Sequence, residues 1–93
     1  MIIGVLKLEL HLPTPNSLKS KRFILKRIID RLRHKFNVSI SEVDYHDLWQ
    51  RSLIGVSVTG NEKRHLNSVI DKVVDTIESM HDVHVINYTF EFL

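Results

Sequence analysis

Between Ser17 and Phe36 the chain reads SLKSKRFILKRIIDRLRHKF, and Leu18, Leu25, Ile28, Ile29, Leu32 and Phe36 recur at spacings of three, four and seven. That is the period of an α-helix with one buried stripe. Pro13 and Pro15 keep helix from starting earlier, and Asn16 or Ser17 offers a side-chain oxygen to the free N–H groups of the first turn. Asn37 follows the last apolar residue, where a left-handed helix end favours Gly or Asn. A helix with one apolar stripe needs a sheet or another helix to cover it, and this requirement organises the rest of the chain.

The flanking segments supply the sheet. In Ile2 to Leu12 the even positions Ile2, Leu6, Leu8, Leu10 and Leu12 are apolar, while the odd positions pass from Ile3 and Val5 to Lys7, Glu9 and His11. This alternation predicts a strand with one dry face and a second face that turns polar. Val38 to Asp44 reads as a second strand, with a shift of apolar positions to Val43 that signals a bulge or a strand end. Tyr45-His46-Asp47-Leu48 suits a hairpin connection, and Trp49 to Thr59 reads as a third strand with Ile54, Val56 and Val58 inward. On its other face lie Trp49, Arg51, Leu53, Ser57 and Thr59. After Gly60, with Asn61 as its expected cap, a second helix carries the stripe Leu66, Val69, Ile70, Val73, Val74, Ile77 and Met80. Val83 to Phe92 predicts a last strand with Ile86, Tyr88, Phe90 and Phe92 on one face.

Strand, helix, strand, strand, helix, strand, with two stripes to bury on one sheet, predicts a split βαβ sandwich of the ferredoxin-like α+β class. Residues 1–93 form one domain, with two helices on one face of a four-stranded antiparallel sheet and the first and third strands central. Cysteine is absent, which excludes disulfides, a thiolate nucleophile and cysteine-ligated zinc. The apolar N-terminus alternates and carries Lys7 and Glu9, so it reads as a strand and not a signal peptide. No run approaches a membrane span, and a cytoplasmic, membrane-free protein is expected.

Charge then singles out the first helix. Eight of the thirteen Lys and Arg residues lie between Ser17 and Phe36 against one acid, Asp30, in a chain of formal net charge +2. Lys19, Arg22, Lys26 and Arg33 fall on one arc beside the apolar stripe, with Arg27 and Phe23 further round. An aromatic among cations suits nucleic acid, because the cations neutralise phosphates while the ring stacks on a base. The alternative is a solvated helix whose cations pair with Asp71, Asp75 and Glu78, with Phe23 under a loop.

The open sheet face is the other candidate surface. Ile3, Val5, Leu53 and Val85 make an apolar patch there, with Arg51 and Trp49 beside it. RNA-recognition motifs stack bases on aromatics of the same central strands, but Trp49 stands nearly alone. The patch fits a partner or a homodimer better, with Trp49 as anchor.

Catalysis has no support in the pattern. Glu42, Asp44, His46 and Asp47 cluster at the hairpin, and His81 and His84 sit three apart, but a tight turn rich in Asp and His is ordinarily a solvated turn. No Gly-rich phosphate loop or nucleophile elbow is present, and no metal or cofactor is expected. Acylphosphatases share the topology but place a glycine-rich anion loop where this chain has LPTPNSLKSK.

SLKSKR (Ser17 to Arg22), FNVS (Phe36 to Ser39) and EVDYHDLWQR (Glu42 to Arg51) resemble the hallmark stretches of the small bacterial YlxP-like proteins. The likeness runs nearly end to end, and FEFL replaces the acidic-plus-Trp ending associated with that family. The resemblance implies a ferredoxin-like fold and carries over no catalytic or binding residue. Genes of the family often lie among those for translation initiation, ribosome maturation and RNA modification. By association, that implies a non-enzymatic role near RNA or the ribosome.

Overall fold

A computed structural model describes every residue, Met1–Leu93. The elements are β1 (Ile2–His11), α1 (Leu18–Lys35), β2 (Ser39–Asp44), β3 (Arg51–Gly60), α2 (Lys63–Glu78) and β4 (His84–Phe92). The strands lie in the order β2-β3-β1-β4, and every pairing is antiparallel. This is the expected split βαβ sandwich, with β1 and β3 in the centre.

Alternation in β1 decides which face is dry. Leu6, Leu8 and Leu10 are fully buried beneath the helices, with Leu12 just beyond the strand, while Lys7 between them is exposed on the open face. Ile54, Val56 and Val58 of β3 continue the dry face. From α1 come Ile24, Leu25, Ile28 and Leu32, and from α2 Leu66, Ile70, Val73, Val74 and Ile77. A fully buried Leu such as Leu32 contributes about 2 kcal/mol through lost water contact alone.

The helix ends differ in how well their polar groups are satisfied. Ser17 caps α1: its backbone is extended, and its hydroxyl accepts the Ser20 N–H at 3.1 Å. Arg33, His34 and Lys35 occupy the last turn, where cations complement the negative end of the helix dipole. The chain leaves α1 by becoming extended at Phe36, so Asn37 does not adopt the expected left-handed conformation. For α2 the cap position belongs to Glu62, without a side-chain hydrogen bond, and Asn61 lies one residue too early to serve.

Three further features concern the sheet, two of them corrections. A bulge at Ile86 shifts β4 by one residue, because Glu9 pairs with Asn87 while Leu10 pairs with Val85. Val85 therefore joins the helix side with Tyr88, Phe90 and Phe92 and leaves the open-face patch, and Ile86 is exposed. A second bulge lies at Val43 as the pattern suggested, since Glu42 pairs with Ile54 and Asp44 with Leu53. Finally, β3 begins at Arg51, and Trp49 lies outside the sheet. The turn Tyr45–Leu48, closed by Leu48 N–H donating to the Tyr45 carbonyl at 3.1 Å, takes up the preceding residues. Gln50 then ties the loop to the segment after β1: its carbonyl accepts the Leu12 N–H at 2.9 Å and its side chain donates to the Pro13 carbonyl at 3.0 Å.

Candidate nucleic-acid interface

Helical geometry sorts the cations of α1 into separate environments. Lys19, Arg22, Lys26 and Arg33 project within about 60° of one another, on the flank toward β2. All four are exposed. Arg22, Lys26 and Arg33 line a groove of about 340 Å³ whose other wall is Ser41 and Glu42 of β2. Phe23 points away from the core and is 72% exposed, so it is not folded under a loop.

Few of these charges are neutralised. Lys19, Arg22 and Arg31 form no ion pair, and none of the cations of α1 pairs with Asp71, Asp75 or Glu78. Lys26 bonds Asp30 one turn on at 2.8 Å. That hydrogen bond, with the charges of Lys26 and Arg33, holds the Asp30 carboxyl below its ordinary value. Arg27 pairs with Asp82 in the turn after α2. Arg33 donates to the Ile40 carbonyl of β2 at 2.9 Å, and Lys35 to the Thr76 hydroxyl at 3.4 Å.

The eighth cation behaves differently. Lys21 is 1% exposed and occupies the centre of the buried stripe, four residues before Leu25 and seven before Ile28. Its Nζ donates to Glu42 Oε2 at 2.9 Å and to the Tyr45 carbonyl. Ser52, itself buried, donates to the same Glu42 oxygen at 2.7 Å. Burial of an ammonium is tolerated only with such partners. Lys21 therefore does not contribute to the charge that α1 presents to solvent. Its position on the helical wheel was the available signal, and its residue type obscured it.

The open face turns polar along β1, as the alternation indicates. Ile3, Val5 and Leu53 are half-buried there, and Arg51 bonds Glu9 across the β1–β3 pair at 2.7 Å. Asn87 donates to the other Glu9 oxygen at 3.2 Å. Trp49, 51% exposed, lies at the end of the sheet just before β3, with Leu48 beside a shallow recess shared with Pro15, Asn16 and Arg51.

The hairpin acids and imidazoles are dispersed. Glu42 belongs to Lys21, the Asp44 side chain accepts the Tyr45 N–H at 2.7 Å, and the His46 ring meets the Glu42 carbonyl at 3.2 Å. His84 stacks on His11 at 6.0 Å between centroids. No three His, Asp or Glu side chains converge closely enough to hold a metal ion. No helix is long and apolar enough to cross a membrane.

Fold and surface together define a small ferredoxin-like α+β domain with a cation-lined helix. Its sequence matches the family described as "Protein of unknown function (DUF503)" over residues 3–90, and the chain belongs to that family. It is 37% identical to "Uncharacterized protein YlxP" of Bacillus subtilis (strain 168) over 82 residues, 88% of this chain and 89% of the relative. Among solved structures it is similar to a de novo designed protein with a ferredoxin fold. There the TM-score is 0.51 at 16% identity, covering 100% of this chain and 83% of the designed one.

Proposed function

We propose that this protein is a non-enzymatic, cytoplasmic RNA-binding protein that holds single-stranded or looped RNA along α1. The observation that carries the reading is Phe23, exposed in the second turn of α1 between Lys19, Arg22, Lys26 and Arg27. Folding gains little from an aromatic ring left in water, whereas a base stacked on it gains about 1–3 kcal/mol. Lys19 and Arg22, free of carboxylates, serve phosphates, and Arg33 with Lys26 lines the groove along which a backbone tracks. Membership of the family and the genes that accompany YlxP-like proteins support a place near the ribosome.

The test is fluorescence anisotropy with a short RNA at two salt concentrations, beside a Lys19/Arg22/Lys26/Arg27→Glu variant. Affinity that falls about tenfold or more with salt and vanishes in the variant is the expected result. Equal binding by both proteins refutes it.

A second reading, favoured by the exposed pair Leu48 and Trp49, makes the sheet end a protein-docking site. Trp49→Ala, leaving RNA affinity intact but abolishing capture of a protein partner, distinguishes the two.

A further inference from the structure

The two edges of the sheet are treated unequally. On β2 the Ile40 carbonyl is taken by Arg33 and the Glu42 carbonyl by His46, and the bulge at Val43 breaks its regularity. These are the devices by which proteins keep an edge strand from pairing with a foreign one. β4 has none of them after its bulge at Ile86. It contains no Lys, Arg or Pro, and no side chain or loop hydrogen-bonds its outward backbone. Tyr88 at its middle is 49% exposed on the helix side, next to half-buried Phe90 and Phe92.

We propose that this protein forms a homodimer by antiparallel pairing of β4 with β4 of a second copy, joining two four-stranded sheets into one of eight strands. A row of unpaired N–H and C=O groups is satisfied in full only by another strand, which fixes the occupant as extended backbone. Side-chain complementarity favours a copy of the same strand, because an imidazole N–H is a donor for a carboxylate. His84 pairs with His11 and Glu91 with Val5, so both lie on the open face at opposite ends of β4. An antiparallel mate brings each Glu91 opposite the partner's His84, while on the helix side the Tyr88 ring meets its symmetry mate and Phe90 meets the partner's Val85. A two-fold interface of this kind closes on itself and leaves β2, the guarded strand, as both outer edges of the assembly. The proposal is independent of the RNA reading, since β4 carries none of the cations that reading uses.

Sedimentation of the full chain from low micromolar to near-millimolar concentration tests it, with Tyr88→Lys and Asn87→Lys as edge variants and Leu53→Lys as an open-face control. All three positions lie outside the buried core, and circular dichroism checks that each variant folds. The expected result is a monomer–dimer equilibrium in the wild type and in Leu53→Lys. In the edge variants the dissociation constant rises by about tenfold or more. Hydrogen exchange adds a second readout: β4 amides gain protection with concentration in the wild type and in Leu53→Lys, and not in the edge variants. A wild type that is monomeric throughout overturns the proposal, as does a dimer lost only in Leu53→Lys. RNA affinity unchanged in Tyr88→Lys keeps the two readings separate.

Discussion

Lys21 Nζ lies 2.9 Å from Glu42 Oε2, and this pair connects the first turns of α1 to the edge strand β2. Removing one partner leaves the other charge in a place where water hardly reaches. Lys21→Met is expected to destabilise the fold by about 3 kcal/mol, near the lower end for a buried pair because Glu42 retains some exposure. Lys21→Met/Glu42→Leu is expected to recover much of that loss. Urea denaturation of the single and double variants checks it, and strictly additive losses would contradict it.

Phe23→Ala separates binding from folding. Because the ring is exposed, its removal is expected to change stability by no more than about 0.5 kcal/mol. RNA affinity is expected to fall about tenfold, with the salt dependence kept, since no phosphate contact is lost. Anisotropy and thermal unfolding on the same preparation give both numbers.

Gly55 faces the Val43 side chain at the second bulge. A Cβ built there lies 2.9 Å from Val43 Cγ1, and Val is stiff about its first side-chain torsion. Gly55→Ala is expected to cost about 1–3 kcal/mol, as overpacking does. Adding Val43→Ala removes the contact and most of the cost, read as a non-additive pair in denaturant titrations.

Ser17→Ala removes the hydroxyl that accepts the Ser20 N–H. A loss of about 1 kcal/mol is expected, with Ser17→Asp close to wild type. A melt that does not distinguish Ser17→Ala from wild type would show that water replaces the cap.

Asp30 provides the pH test. Its carboxyl is held low by the Lys26 hydrogen bond and by the charges of Lys26 and Arg33. A group depressed in the folded state contributes stability above its unfolded value, and that contribution disappears as pH falls through the folded one. An NMR titration of the Asp30 carboxyl is expected to move up toward the ordinary carboxylate range in Lys26→Ala, where only the Arg33 charge still lowers it. No movement would show that the pair does not persist in solution.

The architecture was readable because β1, β3 and both helices keep strict periods. Leu6, Leu8 and Leu10 announce a dry strand face, and Leu66 through Ile77 announce a helix stripe. What escaped has a common cause, in that each case depends on a contact distant in sequence. Whether Val85 or Ile86 faces the helices is decided by a one-residue slip against β1, which alternation within β4 does not record. Trp49 looked like the start of a strand because its parity agrees with Arg51 and Leu53, yet Gln50 is bound to Leu12 and Pro13 instead. The exposed cations Lys19 and Arg22, and Phe23, were legible because a helical wheel alone orients them. Lys21 was equally legible by position, but only Glu42 and the Tyr45 carbonyl explain a charge there.

Tyr45 is the one non-glycine residue in the left-handed region, with φ of 64°, and its carbonyl receives both the Leu48 N–H and Lys21 Nζ. The corner between β2 and β3, although local in sequence, is therefore completed by an ammonium that comes from an earlier helix. Without α1 in place, the Tyr45 carbonyl keeps only the Leu48 N–H of its two donors. Synthesis from the N-terminus delivers the parts in that order, the helix before the hairpin that it finishes.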